Sequence, residues 1–474
     1  MHARRLLLAL TFGSAACGPV EDAVDARHVR RDLRPTEVGS SEPRYPPGVQ
    51  LESFARPDGR FRVHYTSSGP DAVPLEGVGV PAYVRAVADT YEEALSFYER
   101  LGFRRPLSDG TAGGDDRVDV YLVDFGGRGD GAFVLDDCPY DNQPCFGHIR
   151  HENDFAGYGY PSLRIANRIL ASHELFHAVQ SAYATGQTVV LTEGSAVWAT
   201  ETFDPSLSDF EGFIDGYLGD TGRSLDFDGG AFDGFGYGTG IFFQFLAEWV
   251  GPDLVRELWE AVARAPEAPW LTTLDQALEA RGRTFSGAFA TFSEWNLRIR
   301  TGGGVGYRGA ETYPPVRARP VESAGSERPR LFPASMQVLD VPVAGPEFEV
   351  AFGFRPDDDA SPQVSLRTTS SNDDRSTWSA LERASEPLAP VRFDDLSSQA
   401  TVQIAIVNTS TGGASARPTL CWGDEASVTR CLSALGDPSS GIAEPTPPPP
   451  VGADGEPPIA EGCSSARQIG RAHV

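Results

Sequence analysis

Residues Arg164–Phe203 read RIANRILASHELFHAVQSAYATGQTVVLTEGSAVWATETF. Inside this stretch His173-Glu174-Leu175-Phe176-His177 is an HExxH. Residues four apart on an α-helix point from the same face, one turn above the other. Two imidazoles so placed can share one zinc ion, and the glutamate beside the first can act as a base. Histidine is scarce, at 8 of 474 residues. Multiplying residue frequencies, the motif arises by chance in roughly one such chain in a hundred. The flanks favour a helix: Ile165, Ile169, Ser172, Phe176, Val179 and Tyr183 recur at helical spacing and make a mostly apolar face. Pro161 suits a first helical position. The competing reading is an ordinary buried helix whose histidines bond to core groups.

Two histidines do not complete a catalytic zinc site, which has three protein ligands and one open position for water. Glu193, in Leu191-Thr192-Glu193-Gly194-Ser195-Ala196, is the candidate third ligand. The spacing from His177 allows a turn near Gly186 and a second helix packed back against the first. A helix-start glutamate stabilised by the helix dipole is the alternative. Glu201, two turns further on, is either a partner for a ligand histidine or a solvated charge.

HExxH followed by a helix opening EG-x-A resembles the gluzincin zinc metallopeptidases. In their aminopeptidase branch an NEGFA-type segment supplies the third ligand. The TEGSAVW stretch is also similar to a set of poorly described secreted bacterial metalloproteases. The resemblance implies that His173, His177 and Glu193 bind Zn²⁺ and that Glu174 is the base. It implies an oxyanion donor too, a tyrosine ahead of a helix. Tyr237, in Phe235-Gly236-Tyr237-Gly238-Thr239-Gly240 before Ile241–Glu248, matches that place; an aromatic anchor with its hydroxyl on backbone is the rival role. The chain departs from the aminopeptidases in having no GxMEN segment, which there grips the substrate's free amino end. An endopeptidase is therefore expected. The resemblance covers about residues 145–300, and only HELFH and TEGSA are specific.

The start of the chain, residues 1–17, is basic, then apolar from Leu6 to Phe12, then small. It reads as a secretion signal, too short to span a membrane as a mature helix. Cys17 directly follows the small residues and resembles a lipoprotein processing site, although Ser14 stands where leucine is usual; plain signal-peptide cleavage nearby, giving a secreted protein, is the alternative. A lipid on Cys17 would be the one membrane attachment, since no other segment offers the roughly 20 apolar residues needed to cross a bilayer. Residues 18–48 are charged and proline-containing and read as a flexible leader.

Residues 49–303 read as one α+β, zincin-like domain. Phe61–Tyr65 and Arg117–Phe125 alternate like strands, and Val80–Phe103 has helical spacing between them. Phe146–Arg150 is the expected edge strand, able to pair with an extended peptide. Helices are expected over Asp209–Leu218, Thr239–Val250, Pro252–Arg264, Leu271–Arg281 and Phe285–Arg298, making a helical lobe below the cleft. Residues 310–435 change texture to short alternating segments, Met336–Val343, Phe348–Phe354, Gln363–Arg367, Val391–Phe393 and Thr401–Asn408, and read as an all-β sandwich. Residues 436–462 are a proline-rich spacer. Residues 463–474 begin like a C-terminal sorting signal at Cys463. Their last seven, Gln468–Val474, match a translated sequencing adapter and read as an artefact.

The six cysteines fit export. Cys138 and Cys145 share one loop, and Cys421 and Cys431 bracket an expected hairpin, so disulfides 138–145 and 421–431 are expected. A net charge of −26 argues against nucleic-acid partners. The expected function is that of an exported, surface-anchored zinc endopeptidase acting on peptide or protein substrates. Zn²⁺ would acidify a bound water, Glu174 would take its proton, and the metal with Tyr237 would hold the oxyanion. Two alternatives belong to other classes: a surface adhesion or scaffold lipoprotein with a structural or vestigial metal, and a zinc hydrolase of a non-peptide bond.

Overall fold

The structure is a computed structural model. It describes residues 33–436 except 76–78, 137, 139–141, 228, 231–233, 300–305, 356–363, 371–372, 382–389 and 397–399. The signal segment with Cys17, the leader as far as residue 32, the spacer from 437 and the segment 463–474 lie outside the described residues. Among the described residues no helix is long and apolar enough to cross a membrane.

The chain is mixed α and β. The first sheet holds β1 (Glu52–Ala55), β2 (Phe61–Tyr65), β3 (Val118–Val123), β4 (Gly131–Leu135) and β5 (Gly147–Glu152), in the order β1-β2-β3-β5-β4. β2, β3 and β5 run parallel, and β1 and β4 are antiparallel to their neighbours. A parallel step from β2 to β3 needs a crossover, and α1 (Ala82–Arg100) supplies it. Val84, Val87, Tyr91, Ala94 and Tyr98 of α1 are buried, as their helical spacing requires. β4 is an edge strand and β5 is interior. The expectation that Phe146–Arg150 forms the edge is therefore corrected. β5 is buried at every position, as a strand between two others must be.

The other face of this sheet is covered by the start of the described chain. Tyr45 packs on Tyr121 and Val123 and donates its hydroxyl to the Leu122 carbonyl at 2.7 Å. Arg34 is buried and pairs with Asp109, Asp119 and Asp136 and with the Tyr121 hydroxyl. Composition read residues 18–48 as a flexible leader. From residue 33 that stretch is instead held down by one cation among three carboxylates.

α2 (Leu163–Ser181) carries the HExxH and packs against α1. Its cap is Ser162, whose side chain accepts from Ile165 N at 3.2 Å; Pro161 sits one residue outside. A turn with Gly186 at φ +71° leads into α3 (Val189–Phe203). The helical part continues with α4 (Phe210–Leu218), α5 (Gly234–Gly238), α6 (Gly240–Trp249), α7 (Asp253–Arg264), α8 (Trp270–Glu279) and α9 (Phe285–Leu297).

The remaining strands are β6 (Arg319–Pro320), β7 (Gly325–Glu327), β8 (Ser335–Pro342), β9 (Phe348–Gly353), β10 (Val364–Ser370), β11 (Asp373–Leu381), β12 (Val391–Phe393), β13 (Thr401–Asn408) and β14 (Thr419–Gly423). They form two sheets, β11-β10-β13-β8-β6 and β12-β9-β14-β7. Leu339 and Val341 of β8, with Val402, Ile404 and Ile406 of β13, face the second sheet's Phe348, Val350 and Leu420. The alternate residues Met336, Val338, Ala405 and Val407 join the core of the helical part. The β8–β13 pair is thus buried on both faces, between a sheet and a layer of helices. The disulfides Cys138–Cys145 and Cys421–Cys431 are both present. The second does not close a hairpin. It ties β14 to α10 (Glu425–Leu435), a helix capped by Asp424 at Ser427 N, 2.8 Å.

Candidate metal centre

His173 and His177 leave α2 from one face, and Glu193 meets them from the second turn of α3. His173 Nε2 is 3.1 Å from His177 Nε2 and 3.1 Å from Glu193 Oε2, and His177 Nε2 is 3.2 Å from the same oxygen. Ligands bonded to one tetrahedral zinc at about 2.0–2.1 Å stand about 3.3–3.4 Å apart. The observed triangle is within a few tenths of an ångström of that, with two nitrogens and one oxygen as its corners. These three side chains could hold a metal ion, and the donor set suits zinc.

Charge is arranged to match. Burial pushes the Glu193 carboxyl up, but His177 and His173 beside it outweigh burial and hold it well below the usual carboxylate range. Burial likewise pushes His177 down, and the Glu193 carboxylate overrides it, leaving His177 at about 9.

Glu193 reaches the two histidines because α3 can approach its neighbours closely. A Cβ on Gly194 would lie 2.3 Å from Thr239 Oγ1 and 2.8 Å from the Phe243 ring. A Cβ on Gly240 would lie 2.7 Å from Val197, and one on Gly236 would lie 2.6 Å from Val189. Glycines on both sides therefore let α5 and α6 rest against α3. This close packing is the physical content of the EG-x-A and FGYGTG patterns.

Glu174 is 7% exposed. Its Oε2 accepts from the Phe133 backbone N–H at 2.6 Å, so the edge strand β4 lies directly over the candidate base. Burial pushes the Glu174 carboxyl up; the two histidines oppose this, and Glu193 and Asp130 add to it. Tyr237 lies parallel to His173, with ring centroids 5.9 Å apart, and Phe213 stacks on its far side at 5.5 Å. Burial, and the Glu193 and Glu174 carboxylates near it, push the Tyr237 hydroxyl well above its ordinary range. It stays a proton donor.

His173, Glu174, His177, Glu193 and Tyr237 thus gather in one place. Glu201 does not partner a histidine: His177 Nδ1 faces Gln180 Oε1 at 2.8 Å instead. Glu201 joins Asp204 and Asp209 along a cleft beside His173, pushed up to about 7 by burial and by Glu211 and Asp209. Gln180 was missed by the sequence reading, and so was the Phe133 amide. The signal for Gln180 was its place three residues after His177, on the same helical face. No protein-family model and no curated protein sequence matches this chain.

Proposed function

We propose that the protein is a zinc-dependent peptidase, exported and held at the cell surface, that hydrolyses peptide bonds of extended substrates. The observation that carries this is the triangle of two imidazole nitrogens and one carboxylate oxygen, 3.1–3.2 Å on a side, beside a buried glutamate. Zinc bound there would supply a Lewis acid that makes water acidic near neutral pH. Glu174 takes the water's proton; its raised carboxyl is suited to hold it and then give it to the leaving nitrogen. The Phe133 N–H fixes one carboxylate oxygen and so sets where the other points. Tyr237 offers its hydroxyl to the oxygen on which negative charge develops. β4, above Glu174, is the end strand of its sheet, where an extended peptide would add as a further strand. The two disulfides fit an oxidising compartment.

The test is zinc content and peptide-library cleavage on the wild type and Glu174→Gln together. One zinc per chain in both, with cleavage only in the wild type, is the expected result. Cleavage by Glu174→Gln at the wild-type rate would remove the base. No zinc in either would remove the metal centre.

A further inference from the structure

We propose that Gln180 is the positioning residue of this centre: a backbone carbonyl on the Glu193 helix orients its amide, and the amide fixes which nitrogen of His177 is free to bind metal. The inference rests on the metal reading above. Gln180 is buried, at 3% exposed. Its Nε2 lies 2.8 Å from the Thr192 carbonyl and 3.1 Å from Ser195 Oγ, and its Oε1 lies 2.8 Å from His177 Nδ1.

The hydrogens follow from what each group can do. A carbonyl only accepts, so the Gln180 nitrogen must face Thr192. Ser195 agrees with this. Its hydroxyl donates to the Leu191 carbonyl at 2.6 Å, and it therefore accepts from Gln180 and from Trp259 Nε1, 3.2 Å away. With the nitrogen placed, the amide oxygen faces His177. That oxygen only accepts, so Nδ1 of His177 carries a proton. In the neutral ring Nε2 is then bare, and Nε2 is the atom 3.1–3.2 Å from His173 Nε2 and Glu193 Oε2.

The same amide joins the two ligand-bearing helices. It holds α2 at His177 and α3 on either side of Glu193, at Thr192 and Ser195. Trp259 of α7 braces the joint from behind. A flipped amide would set its oxygen against the Thr192 carbonyl and lose that bond whichever tautomer His177 took. The arrangement therefore has one stable state. Partners of this kind on a ligand histidine typically carry 10–100-fold in metal affinity.

The experiment measures zinc affinity of the full chain by competition with a chromophoric chelator, for wild type and Gln180→Met, which keeps the length without the amide. It is paired with long-range ¹⁵N–¹H spectra of ¹⁵N-histidine-labelled protein, assigned by single histidine replacements. Affinity should fall 10–100-fold in Gln180→Met, and wild-type His177 should show a protonated Nδ1 that exchanges slowly with solvent. Affinity within threefold of wild type in a folded Gln180→Met overturns the inference and leaves the metal centre standing. If Gln180→Met does not fold, the wild-type spectrum decides alone: a His177 ring protonated at Nε2 and bare at Nδ1 overturns it. Should the wild type take up no zinc, the metal reading fails, and the apo spectrum at high pH still tests the tautomer.

Discussion

Replacing Gly194 by alanine sets two effects of opposite sign against each other. Alanine in a helix interior is favoured over glycine by about 0.8–1 kcal/mol, so propensity alone makes the variant more stable. The added Cβ would lie 2.3 Å from Thr239 Oγ1 and 2.8 Å from Phe243, where ordinary contact is about 3.5–4.0 Å. Either α3 retreats by about 1 Å or Thr239 turns away. Thr239 is fully buried, and its hydroxyl bonds to the Val190 and Gly236 carbonyls at 3.2 and 2.5 Å. Turning forfeits the one hydrogen bond that its single O–H gives, at about 1 kcal/mol or more, and overpacking costs about 1–3 kcal/mol. Packing wins, for a net loss of about 1–3 kcal/mol. For a chain this long that is about 2 °C of melting temperature per kcal/mol or less. The effect on metal should be larger, because Glu193 precedes the glycine. A shift of about 1 Å cannot be absorbed by a bond of about 2.0–2.2 Å, so zinc affinity should drop at least tenfold. Differential scanning calorimetry of the apo protein and a zinc titration read the two effects separately. A Gly194→Ala protein that melts at or above wild type and binds zinc equally well refutes this account of the helix contact.

Zinc at one hundred times its dissociation constant should stabilise the wild type by about 2.7 kcal/mol, and His173→Ala should abolish the rise in melting temperature. Arg34→Met leaves Asp109, Asp119 and Asp136 buried without their cation, at a cost of about 3–5 kcal/mol. Asp109 is already pushed up to about 7, chiefly by burial and against the pull of Arg34, and losing that pull raises it further. A raised folded-state carboxyl gives stability that is present at low pH and lost as pH rises, so the deficit should be larger at pH 8 than at pH 5; thermal melts at both check the sign. Replacing Cys138 and Cys145 by serine opens a short covalent loop, with the cysteines 7 residues apart, and should cost about 2.5 kcal/mol. It should also speed hydrogen exchange at the Phe133 amide, because β4 enters that loop.

The HExxH helix, the turn at Gly186 and the return of α3 were legible because each rests on short-range spacing. So were β2, β12 and β13, found at the bounds their alternation gave. The edge strand was not. Gly131-Ala132-Phe133-Val134-Leu135 is half-buried throughout and lacks alternation, whereas Phe146–Arg150 attracted the assignment by its place just ahead of the HExxH helix. The helix after Cys421 was missed because the cysteines suggested a hairpin, although Asp424 before Val428, Leu432 and Leu435 is a capping signal with helical spacing. Arg34 could not be placed at all: its three acidic partners lie 75, 85 and 102 residues away, and nothing local marks a surface-looking arginine as buried.

The sheet with two covered faces makes the carboxy-terminal third inseparable from the rest. Leu225 N bonds to the Ala334 carbonyl at 2.8 Å, Met336 N to the Thr221 carbonyl at 2.8 Å, and Ser286 to Thr409 at 2.8 Å, around the apolar side chains that interlock there. A protein cut near residue 303 would present that patch to water and invite self-association, so expressing the amino-terminal part alone should yield aggregates. The two parts should melt as a single calorimetric event, and a graft of this sandwich onto another protein would need the helices beneath it as well.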